Sequence, residues 1–338
     1  MTAAALSRRA GLTVSVVICA YTMERWADII GAVESVRAQT HPADEVILVV
    51  DHNPELAAAA HAAFPDVRVI GNEEDRGLSG ARNTGIGEAR GDIVAFLDDD
   101  AAAGPTWLQT LLAHYDDPGV QGVGGSATAV WSGGPRPRWL PAEFDWVVGC
   151  TYVGQPTAPA VVRNLVGCNM SFRREVFTLV GGFSAAVGRV GRRPLGCEET
   201  ELCIRLGNAL PGGKLLYDPA INVMHRVSPD RRRFRYFRSR CYSEGLSKAV
   251  VSRMVGAASG LSAERTYVRS VLPRGVLQGL RQLVSLHPAG GARAFAIMFG
   301  LAATSLGYAR GIAGNTWEHA AVAGAAESRG LQTSRGKG

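Results

Sequence analysis

Apolar blocks of one kind recur along the first hundred residues. Residues 13–20 (TVSVVICA) form a β-branched run bounded by polar positions, and residues 45–50 (EVILVV) form a second that ends at Asp51. Short continuous apolar runs of this sort predict strands buried on both faces. Between them, Trp26, Ile29, Ile30, Val33 and Val36 fall at helical spacing within residues 24–39, and Thr40-His41-Pro42 stops the helix. A strand at 67–70, a helix at about 79–89 and a strand at 92–97 continue the alternation, which predicts an α/β protein with a doubly wound sheet. Ligands of such sheets bind beyond the carboxyl ends of the strands. Asp51 and the run Asp98-Asp99-Asp100 both follow apolar strands directly, so two acidic sites are expected to converge on one crevice.

The periodicity then changes twice. Residues 131–164, rich in Gly, Pro and Trp, have no clean period and read as a long excursion over the active face. A strand at 169–172, a helix at 174–180 ended by Gly181-Gly182, a helix at 198–206 opening with Glu198, Glu199 and Glu201, and a strand at 221–224 ending at His225 follow. Beyond this, RRRFRYFRSR at 231–240 leads into three helical stretches reaching about residue 325. The expected division is a catalytic domain over 1–228 and a basic, partly amphipathic helical region over 229–338.

Composition narrows the class. With 338 residues, 46% of them hydrophobic, the chain has enough apolar material for a proper core, which excludes disorder. Residues 226–338 hold 18 Lys/Arg against 5 Asp/Glu, leaving 18 and 25 for the rest, so the two parts carry about +13 and −7. Such polarity points to an acidic site and a basic region facing an anionic surface. The six cysteines contain no CxxC pair and no staple framework, so a reducing cytoplasm is expected. The stretch before the first strand has no apolar run long enough for a secretory signal, so export is not expected.

FLDDDA at 96–101 places three carboxylates at a strand end, where like charges raise one another's pKa unless a cation resolves them. Carboxylates with substrate phosphates are the usual Mg²⁺ or Mn²⁺ arrangement, and an acidic turn capping the next helix is the plainer alternative. Arg82 and Asn83, at a Gly-flanked helix start in GLSGARNTGI, suit a diphosphate, although a surface helix carries such residues too. His225 would supply a metal ligand from the far side. Acids opening the helix at 198 favour its dipole, and one of them is also a candidate general base; Glu201 is expected to face inward or to pair with Arg205.

Taken in order, VSVVICAYTMERW, the strand ending at Asp51, GLSGARNTGI, GDIVAFLDDD, NMSFRREVF with GGF, EETEL and His225 resemble glycosyltransferase family 2 of the GT-A fold, over residues 13–248. CAYTMERW, PRWLPAEFDWVVGCTY, EETEL and the basic stretch leading to EGLSK are most similar to its glucosyl-dolichyl phosphate glucuronosyltransferase group. The resemblance implies a Rossmann-like catalytic domain in which Ala20, Tyr21 and Asp51 line the base and ribose pocket. Arg82 would reach the diphosphate, Asp98 the ribose, and Asp99 would belong to the donor site. Asp100 and His225 would hold Mg²⁺ or Mn²⁺. Glu199 would be the base of a single inverting displacement; the family more often has Glu-Asp where this chain has Glu198-Glu199, which leaves Glu198 in contention. A nucleotide sugar, UDP-linked and with UDP-glucuronate as the first candidate, would be the donor. The acceptor would be a membrane-associated polyprenyl-phosphate-linked sugar or a related glycan.

The basic tail interleaves cations with aromatics, a composition that also suits single-stranded nucleic acid. No nucleic-acid-binding motif accompanies it, so acceptor contact or a solvated helix face is preferred and no nucleic-acid partner is expected. Residues 271–286 are amphipathic, and the apolar stretch 294–309 falls short of the roughly 20 residues that span a bilayer. The expectation is peripheral attachment at the cytoplasmic face of the plasma membrane, with a buried core helix as the alternative. A sugar-phosphate nucleotidyltransferase of similar fold, or a non-enzymatic lipid- or nucleic-acid-bound adaptor, are the rival functions.

Overall fold

A computed structural model describes residues 11–188, 195–256 and 262–314. The apolar blocks become β1 (Val14–Ala20), β2 (Glu45–Val50), β3 (Arg68–Gly71) and β4 (Ile93–Asp98), linked by α1 (Trp26–Arg37), α2 (Pro54–Ala63) and α3 (Leu78–Glu88). After them come β5 (Ala101–Ala103), α4 (Trp107–Ala113), β6 (Val120–Trp131), β7 (Ala160–Val161), β8 (Asn169–Arg173), α5 (Arg174–Val180), α6 (Glu198–Ala209) and β9 (Lys214–Val227). One sheet runs β3-β2-β1-β4-β8-β6-β9-β5, with β7 on β9. Its first four strands are parallel, and β8 is antiparallel to both β4 and β6. The chain reverses its winding between β1 and β4, so the crevice opens where Cys19 pairs with Asp98.

Alternate strand residues feed two cores. Val14, Val16, Ile18 and Leu48 pack on one face together with residues of α1, α2 and α4; Val17, Ile47, Val49, Val94 and Phe96 pack on the other with residues of α3, α5 and α6. The alternation escapes notice in sequence because both faces are apolar. Two elements had no signal of their own. The long strand β6, VQGVGGSATAVW, is Gly-rich because close neighbours leave no room for side chains: a Cβ on Gly125 would lie 1.8 Å from the Ile221 carbonyl oxygen. The helix α2 is mostly alanine and shows little periodicity.

The excursion at 131–164 is partly ordered as a 3₁₀ helix, Ala142–Val148. Its Phe144, Val147 and Val148 are buried with Phe237, Cys241, Leu272, Ala296 and Ile297 of the C-terminal helices. Those helices are α7 (Phe234–Val255), α8 (Ser262–Thr266), a π-helical turn (Tyr267–Val271), α9 (Leu272–Val284) and α10 (Pro288–Ala313). The stretch expected to be too short to cross a bilayer belongs to the 26-residue α10, which is long and apolar enough by length and composition. One of its faces packs on α7 through glycines: a Cβ on Gly307 would lie 2.0 Å from the Tyr242 carbonyl oxygen, and one on Gly245 2.0 Å from that of Thr304. The opposite face exposes Phe295, Met298, Leu306 and Ile312. The expected end of the helical region, near residue 325, lies outside the described residues. Forcing α7 and α10 apart with Gly307→Leu is expected to cost about 3 kcal/mol, read as a lower midpoint in denaturant unfolding; an unchanged midpoint would mean that the two helices do not depend on this close approach.

Candidate active site

Beyond the ends of β1, β2 and β4 lies a cavity of about 370 Å³ lined by Ala20, Tyr21, Asp51 and all three aspartates of the acidic run. Asp51 is held by two donors, Asn72 Nδ2 at 2.7 Å and the Gly77 amide at 3.0 Å. Tyr21 stands half-exposed at the rim, with the Arg25 guanidinium 5.3 Å from its ring centre.

The acidic run does not fold as a solvated turn. Asp99 and Asp100 are buried, whereas the Asp98 side chain stays 28% exposed. Arg25 reaches Asp99 at 2.6 Å and Asp100 at 3.2 Å, and Arg231 meets the same Asp100 oxygen at 3.2 Å. His225 Nε2 lies 3.2 Å from the other Asp100 oxygen, brought there because β5 pairs Ala101 with His225. Burial pushes the Asp99 carboxyl up against the pull of Arg25. For Asp100 burial acts in the same sense but is overcome by His225 and Arg231, which hold it well below the usual carboxylate range. Gly149, at φ +85°, lets the excursion close over the imidazole; a Cβ there would lie 3.0 Å from His225 Cε1.

Ligand atoms of Asp98, Asp100 and His225 lie within 4.8 Å of one another, and one buried Asp99 oxygen has no partner. Two carboxylates and an imidazole with open space beside them fit Mg²⁺ or Mn²⁺.

Arg82 does not stand at an open helix start. It is 2% exposed and bridges Asp98 Oδ1 at 3.2 Å, Glu198 Oε1 at 3.0 Å and the Gly167 carbonyl at 2.9 Å. It thereby joins the acidic run to the start of α6. Glu201 is buried and bound to Arg205, as its spacing predicts. Glu198 and Glu199 both line a second cavity, of about 600 Å³, between the sheet and the C-terminal helices. Glu198 is engaged by Arg82, while no other side chain donates to the Glu199 carboxylate among the described residues. Burial, with Glu198 alongside, pushes Glu199 up to about 8.

Sequence reasoning did not single out Arg25 or Arg231. Arg231 sits in a run of three arginines whose expected roles were acceptor contact or a solvated face; the turn Pro229–Arg232 buries it alone against Asp100. Arg240, Glu244 and Lys248, spaced four residues apart on α7, also line the second cavity together with Arg163 and Glu264 from distant parts of the chain, and sequence reasoning, which reached EGLSK only as part of the resemblance, gave none of the five a role.

A family model described as Glycosyl transferase family 2 matches residues 15–180. The chain is 35% identical over 277 residues to the glucosyl-dolichyl phosphate glucuronosyltransferase of Haloferax volcanii, covering 81% of this chain and 87% of that protein. It is 30% identical over 171 residues to the pre-mycofactocin glycosyltransferase of Mycobacterium tuberculosis, covering 48% and 33%. Among solved structures, the mannosyltransferase PcManGT from Pyrobaculum calidifontis, in complex with GDP-Man and Mn²⁺, is similar with a TM-score of 0.56 at 18% identity over 90% of this chain and 88% of that one. GalNAc-T7 with UDP, GalNAc and Mn²⁺ is similar with a TM-score of 0.52 at 18% identity, over 83% of this chain and 59% of that longer one. Both likenesses concern the fold, which is GT-A.

If Asp98, Asp100 and His225 hold the cation, Asp100→Asn lowers the melting temperature of the free protein, because Arg231 loses its partner. It also removes the additional rise that Mn²⁺ gives in the presence of a nucleoside diphosphate. Persistence of that rise in a folded Asp100→Asn protein would move the cation elsewhere.

Proposed function

Because the chain belongs to glycosyltransferase family 2, we propose that it moves a sugar from a UDP-linked donor, UDP-glucuronate first among candidates, with inversion to a hydroxyl of a lipid-linked sugar. The observation that carries this reading is the meeting of the two cavities. Leu78, Asp98 and Arg231 line both, whereas Asp51 and Tyr21 line only the smaller and Glu199 only the larger. A donor in the smaller cavity would bring its sugar to the shared wall, and an acceptor hydroxyl would approach from the side of Glu199.

Ala20, Tyr21 and Asp51 would then hold the base and ribose, with Asp98 and Asp99 beside them. Asp98, Asp100 and His225 would hold a divalent cation, which would supply positive charge to the leaving diphosphate. Arg25 and Arg231 neutralise Asp99 and Asp100 around it. Glu199 takes the hydroxyl proton while the oxygen bonds to the anomeric carbon and the bond to the diphosphate oxygen breaks, its electron pair leaving with the nucleotide. Arg82 acts by fixing Glu198 against Asp98, while among the described residues no other side chain donates to the Glu199 carboxylate.

The acceptor is proposed to arrive from a membrane. Leu277, Leu280, Leu283, Val284, Phe295 and Met298 are exposed on α9 and α10, with Arg274 and Arg281 exposed beside them, a composition suited to an anionic lipid surface. The same two helices lend Leu272, Leu301, Thr304 and Tyr308 to the wall of the larger cavity. We place the enzyme peripherally at the cytoplasmic face, a reading supported by six free cysteines.

The test is a thermal-shift screen of nucleoside diphosphates with and without Mn²⁺, followed by transfer assays with polyprenyl-phosphate-linked sugars. A shift with UDP and transfer of glucuronate are expected; a shift with GDP alone would overturn the donor assignment. Glu199→Gln is expected to lower kcat by about 10²–10⁴-fold, with Glu198→Gln affecting it less. Since only the carboxylate accepts a proton, and burial and Glu198 raise its pKa to about 8, kcat/KM should climb with pH and level off above that value. A flat profile from pH 6 to 9 would remove Glu199 as the base. Leu280→Glu with Leu283→Glu should reduce co-sedimentation with anionic vesicles while leaving UDP binding intact; undiminished sedimentation would exclude this face.

A further inference from the structure

The first turn of α6 carries both glutamates of the larger cavity, and its own sequence does little to hold it there. Cys197 occupies the N-cap position in the left-handed region, at φ +72°, and its side chain caps no amide of the helix. A non-glycine residue persists in that region only where its surroundings over-determine it. Among the described residues, the hydrogen-bonding part of those surroundings comes from α7. The Gly196 amide donates to Ser247 Oγ at 3.1 Å, and that hydroxyl donates to the Ser243 carbonyl at 3.0 Å. The Cys197 thiol donates to Glu244 Oε1 at 3.2 Å. Gly196 leaves space for the same helix, since a Cβ there would lie 2.9 Å from Arg240 Nη2.

Glu244 is itself held rigidly. Arg240 donates to its second oxygen at 2.8 Å, and Lys248 lies 3.2 Å from the first. Lys248 also donates to Glu264 of α8 at 2.5 Å, and Arg163 grips Glu264 through two bonds of 2.7 and 3.0 Å. Burial opposes ionisation of Glu244, but Lys248 and Arg240 outweigh it and keep the carboxylate charged. A thiol facing a fixed carboxylate makes a charge-assisted hydrogen bond, stronger than one between neutral groups. Among the described residues, no other side chain is bonded to the Cys197 thiol. Glu244 lines the larger cavity and is absent from the wall of the smaller one.

We infer that Glu244 is a positioning residue for the transfer step: by accepting the hydrogen bond of the Cys197 thiol it fixes the left-handed entry to α6 and so aims Glu199 at the acceptor hydroxyl. The inference rests on Glu199 being the base. It gives the C-terminal region a part in the chemistry besides building a cavity wall. Loss of the bond should misdirect the base, lowering kcat while leaving the distant donor site as it was.

The experiment uses the full chain, with kcat, donor KM and melting temperature measured for Cys197→Ala, Cys197→Ser, Glu244→Gln and the pair Cys197→Ala with Glu244→Gln. Cys197→Ala is expected to reduce kcat about tenfold, in line with one charge-assisted hydrogen bond, with donor KM unchanged. Cys197→Ser keeps a donor and should stay within about threefold of the parent. The double variant should be no slower than Glu244→Gln, because both remove one coupling. The inference is overturned by wild-type kcat in Cys197→Ala, by multiplicative losses in the double variant, or by a loss in which donor KM rises as melting temperature falls. Glu199→Gln is assayed alongside. If it keeps full activity, the base assignment itself fails; if it is inactive while Cys197→Ala is unimpaired, only the positioning role fails.

Discussion

Three consecutive aspartates at the end of a buried strand repel one another, and the fold around them is arranged to supply the positive charge they need. Arg25 comes from the turn before α1, Arg82 from α3 and Arg231 from the turn after β9, while His225 of β9 sets its imidazole against Asp100. Each therefore ties a different part of the chain to the same strand end. Removing one of the arginines would leave these carboxylates with less compensating charge, and for buried Asp99, which only Arg25 meets at hydrogen-bond distance among the described residues, that loss is costly. The acidic run thus organises the carboxyl ends of the sheet as much as it offers a place for a cation.

The two cavities follow from that arrangement. Asp98 and Arg231 stand at their common wall, Arg231 bound to Asp100 and Asp98 tied to Glu198 through Arg82 on the side of the larger cavity. The parallel half of the sheet makes most of the smaller cavity from its strand ends and the loops after them, with Arg231 added from the turn after β9. The larger one requires the excursion at 131–164, the start of α6 and all the C-terminal helices together. A membrane-facing role for α9 and α10 and an acceptor role for the larger cavity are for this reason one proposal with two faces: the same helices expose apolar side chains outward and line the cavity inward.

Legibility in the sequence varied with the range of the interactions involved. The strands β1, β2 and β4 and the helix α1 were readable because buried parallel strands and amphipathic helices carry local patterns. The strand β6 was not, since its glycines record the closeness of β9 and β8, which no local window contains. In the site, Asp51, Asp98, Asp99 and Asp100 were legible from their position after apolar strands. Arg82 was legible as a residue of the site but not as a buried bridge, because its partners lie 16 and 116 residues away along the chain. Arg231 was lost among neighbouring arginines that differ from it only in burial.

By itself, then, the sequence determined the α/β class, the acidic site at the strand ends, and the family resemblance carried by ordered motifs. These rest on local periodicity and on residues adjacent in the chain. Only the tertiary structure decided which carboxylates are neutralised and by which cation, which glutamate of the adjacent pair Arg82 engages, and that α7 bonds to the entry of α6. Those outcomes depend on burial and on distances of about 3 Å between groups far apart in sequence, where desolvation and charge pairing, rather than residue type, set what each side chain can do.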